Sequence, residues 1–193
     1  MTAALAATRV LGLQVGRVAP LVAGGREVMT GIEKRAVAVA GAVGVRPLGL
    51  DGDEQADLTV HGGLAKAVYA YPVEHYPYWS RQRRELGLDP DLRYGALGEN
   101  LTVTGVLERD LHVGDVLRFA GCELRVTQPR RPCYKFVAHF GDPQAARKMI
   151  ETGYCGFYLA VDRPGQLAAG EAFDVVPGPR EVALMTLFPS KRR

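Results

Sequence analysis

At 193 residues, with 47% hydrophobic and 23% charged side chains, the chain has the make-up of one globular domain that can bury a substantial core. Its 24 Lys and Arg against 21 Asp and Glu leave a net charge of +3, too weak a bias to argue for nucleic acid, and the one basic run, Lys191-Arg192-Arg193, reads as a solvated tail. No run approaches the roughly 18 apolar residues of a membrane span, Met1 to Ala7 lacks the regions of a signal peptide, and three cysteines that are never closely paired argue against a disulfide framework or a structural zinc site, so a reducing cytoplasm is expected.

Glycines and prolines scattered among short apolar runs favour a strand-rich chain. The first strand is predicted from Thr8 to Gly16, with Val10, Leu11, Leu13 and Val15 as its apolar residues. Ala19 to Thr30 reads as a hairpin around Gly24-Gly25. The basic pair Lys34-Arg35 leads into a predicted strand from Ala36 to Val45, interrupted by Gly41. Between Leu50 and Gly63, strand geometry would set Asp57, Thr59 and His61 on one face and Leu58 and Val60 on the other. An Asp and a His on one face, ending at Gly62-Gly63, is a way of carrying a polar site on a rigid edge. The Asp51-Gly52-Asp53 turn lacks EF-hand spacing and its terminal Glu, which argues against calcium.

Lys66 to Tyr71 is the next strand, and Pro72 opens a helix carrying Glu74, His75, Tyr78, Trp79 and Leu86. Its aromatic residues suit packing against a sheet, and His75 fits either a core position or a site. Glu99 and Asn100 follow Gly98 directly, a pairing that either fixes a turn or offers hydrogen bonds to a ligand. A hairpin around Ala120-Gly121 joins Val116–Phe119 to Cys122–Thr127, with Cys122, Leu124 and Val126 facing the core. Asp142-Pro143 starts a helix that Gly153 closes, strands follow over Gly156–Val161 and Ala172–Val176, and Cys155 reads as structural.

The stretch with the most chemistry is Gln128-Pro129-Arg130-Arg131-Pro132-Cys133. It sets one thiol directly after two guanidinium groups, and the apolar spacing from Tyr134 to Phe140 places Cys133 at a helix start. A free thiol has a pKa of about 8.5, and both a helix N-terminus and neighbouring cations lower it. Two readings follow: a reactive or metal-ligating thiolate beside an anion site, or a buried small hydrophobe near two surface arginines.

In their order and spacing these pieces resemble the MOSC family (molybdenum cofactor sulfurase C-terminal domain), and within it the YiiM-like proteins. The matching elements begin with Lys34-Arg35 before a strand, Gly49-Leu50-Asp51-Gly52-Asp53-Glu54-Gln55-Ala56-Asp57 and Val60-His61-Gly62-Gly63. They continue through Lys66-Ala67-Val68, Tyr71, Glu74-His75-Tyr76, Trp79, Gly98-Glu99-Asn100 and Gly114-Asp115. They end with Gln128-Pro129-Arg130, Pro132-Cys133 and Gly156-Phe157-Tyr158, so that the likeness covers residues 9–176.

The resemblance implies a mainly β fold, a distorted β-barrel with flanking helices, in a single MOSC domain. It implies a molybdopterin-type molybdenum cofactor with Cys133 as the sulfur ligand to the metal. It also implies reduction of N-hydroxylated bases and related small compounds, with electrons from a separate flavin or iron–sulfur protein. Under that resemblance Lys34, Arg35, Arg130 and Arg131 are candidates for the cofactor's anionic group, since guanidinium can hold a phosphate through two bonds. Gly98, Glu99 and Asn100 join them as cofactor-binding candidates, and His61 backed by Asp57 is the candidate proton donor. No specific nucleic acid and no membrane is expected as partner, and a homodimer is compatible. YiiM-like proteins commonly continue into a C-terminal helical segment, which this sequence lacks after Met185-Thr186-Leu187-Phe188. A second reading is a non-catalytic module that carries the cofactor or its sulfur. A metal-free cysteine redox enzyme is disfavoured, because no resolving cysteine sits near Cys133.

Overall fold

The computed structural model describes residues 7–37, 41–58 and 62–189. In chain order the strands and helices are β1 (Arg9–Val15), β2 (Ala19–Ala23), β3 (Arg26–Thr30), β4 (Arg35–Ala36), β5 (Val43–Arg46), β6 (Gly49–Leu50), β7 (Val68–Pro72), α1 (Tyr76–Glu85), β8 (Leu101–Thr104), β9 (Val116–Arg118), β10 (Glu123–Pro129), α2 (Tyr134–Phe140), α3 (Ala145–Thr152), β11 (Phe157–Arg163), β12 (Gly165–Leu167) and β13 (Asp174–Val176). Among the described residues no helix is long and apolar enough to cross a membrane.

One large sheet runs in the order β13-β9-β10-β11-β7-β8-β1-β4, antiparallel throughout except for the parallel pair β7 and β8. Alternation drives it: in β10, Leu124 and Val126 are fully buried while Arg125 faces water. Backbone bonds link β1 to the segment before β13. Val10 N donates to Glu171 O at 2.9 Å and Gly170 N to Val10 O at 2.7 Å, which ties the approach to β13 back onto β1. The isolated Arg9–Ala172 bridge adds to this link, which is not a full ladder. The fold is mainly β with flanking helices.

The large sheet contributes to a core, mainly aliphatic, that includes Val10, Leu101, Leu124 and Phe157. A second core, rich in aromatic rings, lies under the helices. Trp79 packs edge-on against Phe140 at 5.1 Å and Phe136 at 6.0 Å, so α1 grips α2. That grip fixes where α2 begins.

The β2–β3 hairpin, the first strand and the hairpin around Ala120-Gly121 form as their patterns predict. Two expectations differ. The strand predicted from Ala36 to Val45 is divided: β4 pairs with β1, whereas β5 pairs with β6 and β12. The face predicted for Asp57, Thr59 and His61 does not form as far as it is described. β6 ends at Leu50, and residues 51–58 are turn and irregular backbone. The Gln55 side chain explains this, donating to Leu48 O at 2.9 Å and Ala67 O at 3.3 Å and accepting from Gly63 N at 3.0 Å. It satisfies backbone groups that a strand partner would otherwise take. Thr59, Val60 and His61 lie outside the described residues.

Candidate functional site

At the end of β10 the chain leaves the sheet and delivers Cys133 to the start of α2. Arg130 N still bonds Gly156 O on the β11 side at 3.3 Å, and Cys133 is the N-cap residue with extended backbone. In this extended segment consecutive side chains take opposite sides. Arg130 therefore turns in and Arg131 turns out, where its Nη2 meets Leu187 O at 3.4 Å.

Arg130 is 5% exposed. Its guanidinium carbon lies 4.6 Å from the Phe136 ring centre and 5.0 Å from that of Tyr69, and its Nη1 donates to Leu97 O at 3.2 Å. Among the described residues it forms no ion pair. Burial works against its charge, but Tyr69, Tyr158 and Cys133 outweigh it and hold the guanidinium pKa above the ordinary arginine value. Such a buried cation is costly unless an anion is supplied.

Cys133 is half-buried and lines an open cleft of about 640 Å³. The cleft gathers Lys34, Gly98, Asn100, Arg130 and Cys133 from three separate stretches of chain. Its wall also carries Lys66, Lys135, Asp53 and Glu54, giving four cations against two carboxylates. The carboxylates are engaged. Asp53 pairs with Lys34 at 2.5 Å, and Glu54 pairs with Arg17 at 2.9 Å and accepts from Val18 N at 2.8 Å. Lys135 Nζ donates to Met29 O at 3.0 Å, and Lys66 Nζ stands 5.9 Å from the Tyr158 ring centre. Arg130 stands among these cations, beside the thiol.

Of the other candidates, Arg35, Asp57, Glu99 and Arg131 are not among the cleft's lining residues. Glu99 is fully buried and faces inward, accepting from Gly95 N at 2.8 Å, Leu97 N at 3.1 Å, Thr102 Oγ1 at 2.9 Å and the Tyr76 hydroxyl. It organises the loop from a fully buried position. Asn100 is mostly structural as well, accepting from Tyr69 N at 3.1 Å and donating to Gln14 O at 3.2 Å, though it reaches the cleft. Gly98 has φ +84, and a Cβ there would stand 2.8 Å from Ile32 Cγ1, so the close approach of the two segments requires glycine. Arg35 is exposed and pairs with Glu33 at 3.5 Å. Asp57 is not among the cleft's lining residues, and its supposed partner His61 is outside the described structure. His75 is a buried histidine of the second core, 2.8 Å from Glu108 and stacked on Tyr154 at 3.9 Å.

Lys66, Lys135, Tyr69 and Tyr158 line the cleft without having been singled out as site residues. Lys66 and Tyr158 do stand in the matched motifs, which is the signal that would have found them. Among the described residues no group of three or more His, Cys, Asp and Glu side chains converges as a metal cluster. A metal at Cys133 would take its other donors from the ligand that brings it. A soft thiolate with cations around it fits a thiolate-bound metal on an anionic carrier.

The MOSC domain family model matches residues 57–174. The chain is 40% identical over 167 residues to the uncharacterized protein YflK of Bacillus subtilis, covering 86% of this chain and 72% of that one. It is 39% identical over 143 residues to protein YiiM of Escherichia coli (72% and 62% covered) and 35% identical over 133 residues to a reductase of Gibberella moniliformis (68% and 23%). It thus spans less than two thirds of YiiM's length and under a quarter of the reductase's. The crystal structure of YiiM from Geobacillus stearothermophilus superimposes with a TM-score of 0.67 at 30% identity, over 88% of this chain and 75% of that one. With a family model across more than half its length and this likeness in structure, the chain belongs to the MOSC domain family.

Proposed function

We propose that this chain holds a molybdopterin-type molybdenum cofactor through Cys133 and reduces N-hydroxylated compounds with electrons from a separate flavin or iron–sulfur protein. The observation that carries the reading is the juxtaposition of a cleft-lining thiol with a buried guanidinium that has no ion-pair partner among the described residues. A phosphate-bearing ligand would relieve the Arg130 charge, and its planar fork suits two parallel bonds to phosphate oxygens. Lys66 and Lys135 extend the positive wall, whereas Lys34 is already held by Asp53 and contributes less. The family's association with the molybdenum cofactor and the name of the fungal relative support the same reading. When bound, the molybdenum centre supplies two-electron reduction at the N–O bond. The protein's part is to ligate, to neutralise charge and to provide a proton.

Turnover tests this. Protein expressed in a host that makes the cofactor, mixed with a reduced flavin or ferredoxin-type donor, is expected to oxidise the donor when hydroxylamine is added and to yield ammonia. Metal-loaded protein that turns over neither hydroxylamine nor a hydroxylaminopurine with a competent donor would replace the reductase reading with that of a cofactor carrier.

A further inference from the structure

Tyr158 is a cleft residue to which the reading above gives no task. It lies on β11 opposite Tyr69 of β7, with ring centres 5.3 Å apart, and it lines the same cleft as Cys133. The neighbouring buried tyrosines have committed their protons. Tyr69 donates to Cys155 O at 2.8 Å, Tyr71 to Tyr154 O at 3.0 Å, and Tyr76 to Glu99. Among the described residues the Tyr158 hydroxyl has no such acceptor, and its side chain is only half-buried, open to the cleft. Arg130, on the adjoining strand end, supplies a cation next to it.

Resting on the reductase reading, we propose that Tyr158 is the proton donor to the departing hydroxyl of an N-hydroxylated substrate, with Arg130 as the positioning cation that stabilises the phenolate. The step balances as R–NH–OH plus two electrons and two protons giving R–NH₂ and water. The electrons come from the external reduced flavin or iron–sulfur protein, the N–O bond breaks, and its oxygen leaves as water. One proton comes from Tyr158 and the other from solvent, and water then returns a proton to the phenolate.

The electrostatics agree. Burial pushes the Tyr158 phenol above its ordinary value while Arg130 pulls it down, so the group stays protonated and ready to donate at neutral pH. Transfer to a leaving hydroxide, a stronger base than the phenolate, is downhill. Lys34 and Lys135 are bound to Asp53 and Met29 O, and Cys133 is assigned to the metal.

Tyr158→Phe removes only the hydroxyl. In molybdenum-loaded protein the variant should keep its metal content, lose about 10²–10⁴-fold in kcat with hydroxylamine and change KM much less. Wild-type activity should fall at alkaline pH as Tyr158 ionises, a fall that the variant lacks. A second readout needs no turnover. With ¹³Cζ-labelled tyrosine, the resonance absent from the Tyr158→Phe spectrum should shift on adding benzohydroxamic acid, while that of Tyr71 stays in place. A kcat within about threefold of wild type would overturn the assignment, as would an unmoved resonance at saturating probe or no saturable probe binding. Wild type that is loaded yet inactive would remove the reductase reading, and the resonance would then decide by itself whether Tyr158 donates to an N-hydroxy ligand.

Discussion

Lys34 Nζ lies 2.5 Å from Asp53 Oδ1 on the cleft wall, with 7% and 2% of the two side chains exposed. The same carboxylate oxygen accepts from Gly16 N at 2.7 Å, so Asp53 ties the end of β1 to the entry of β4. Removing one partner of a buried pair typically costs about 3–5 kcal/mol, because the other is left charged and unpaired. Asp53→Ala should lower the unfolding free energy by that order, and Lys34→Met combined with Asp53→Leu should recover most of it. Denaturant unfolding of the variants checks this. A single variant within about 1 kcal/mol of wild type would mean that water already solvates the pair.

Arg130 is the opposite case, a buried cation whose neighbours are ring faces and one carbonyl. Arg130→Met should leave the cofactor-free protein as stable as wild type or more so, since an uncompensated charge is replaced by an apolar chain of similar reach. The same variant should lose cofactor retention. Melting temperature and bound pterin, measured on one preparation, separate the two effects. A cofactor-free protein destabilised by several degrees would mean that the guanidinium serves the fold first.

The three thiols should differ sharply in reactivity. Cys122 is fully buried and burial pushes its thiol up to about 11; Cys155 is equally buried and is also pushed up, with burial the main cause. Cys133 borders the cleft. A thiol reagent at about pH 8 should therefore titrate one group in native protein and all three in denaturant. Cys133→Ser should abolish the native reaction, and bound cofactor should protect against it. Native labelling of Cys122 or Cys155 would contradict the assigned burial.

Glu99 gives a pH signature. Burial raises its carboxyl pKa, against hydrogen bonds from Tyr76 and Gly95 that favour the anion. A carboxyl with a raised folded-state pKa binds its proton more tightly when folded. Its stabilising contribution is whole below the unfolded value, about 4.3, and is lost as pH rises through the folded one. Wild type should therefore lose stability relative to Glu99→Gln as pH climbs from about 4 towards neutrality. A stability difference that does not change with pH would mean that folding leaves the Glu99 carboxyl pKa unmoved.

Local pattern carried much of this. Alternation along β1 and β10 places Cys122 and its neighbours in the core, and the apolar spacing after Cys133 marks the start of α2. The Lys34, Gly98, Arg130 and Cys133 candidates do share one cleft. What the pattern left open depended on which side chains meet in the folded chain. Arg130 and Arg131 look equivalent as neighbours, and only Phe136 and Tyr69 decide which turns in. Glu99 resembles a ligand contact until Tyr76 and Thr102 are seen to enclose it. The polar alternation around Asp57 suggests a strand, yet Gln55 takes the backbone partners that a strand would need. Tyr158 stood in a matched motif, but its uncommitted proton emerges only from the commitments of Tyr69 and Tyr71.

The central claim is that Cys133 ligates molybdenum in this cleft, and elemental analysis of molybdenum per chain tests it most directly. Wild type and Cys133→Ala would be expressed side by side in a host that makes the cofactor. Near-stoichiometric molybdenum in wild type that disappears in Cys133→Ala, with both proteins folded by circular dichroism, is the predicted result. Molybdenum retained at equal stoichiometry without the thiol would contradict the account and move the metal away from Cys133.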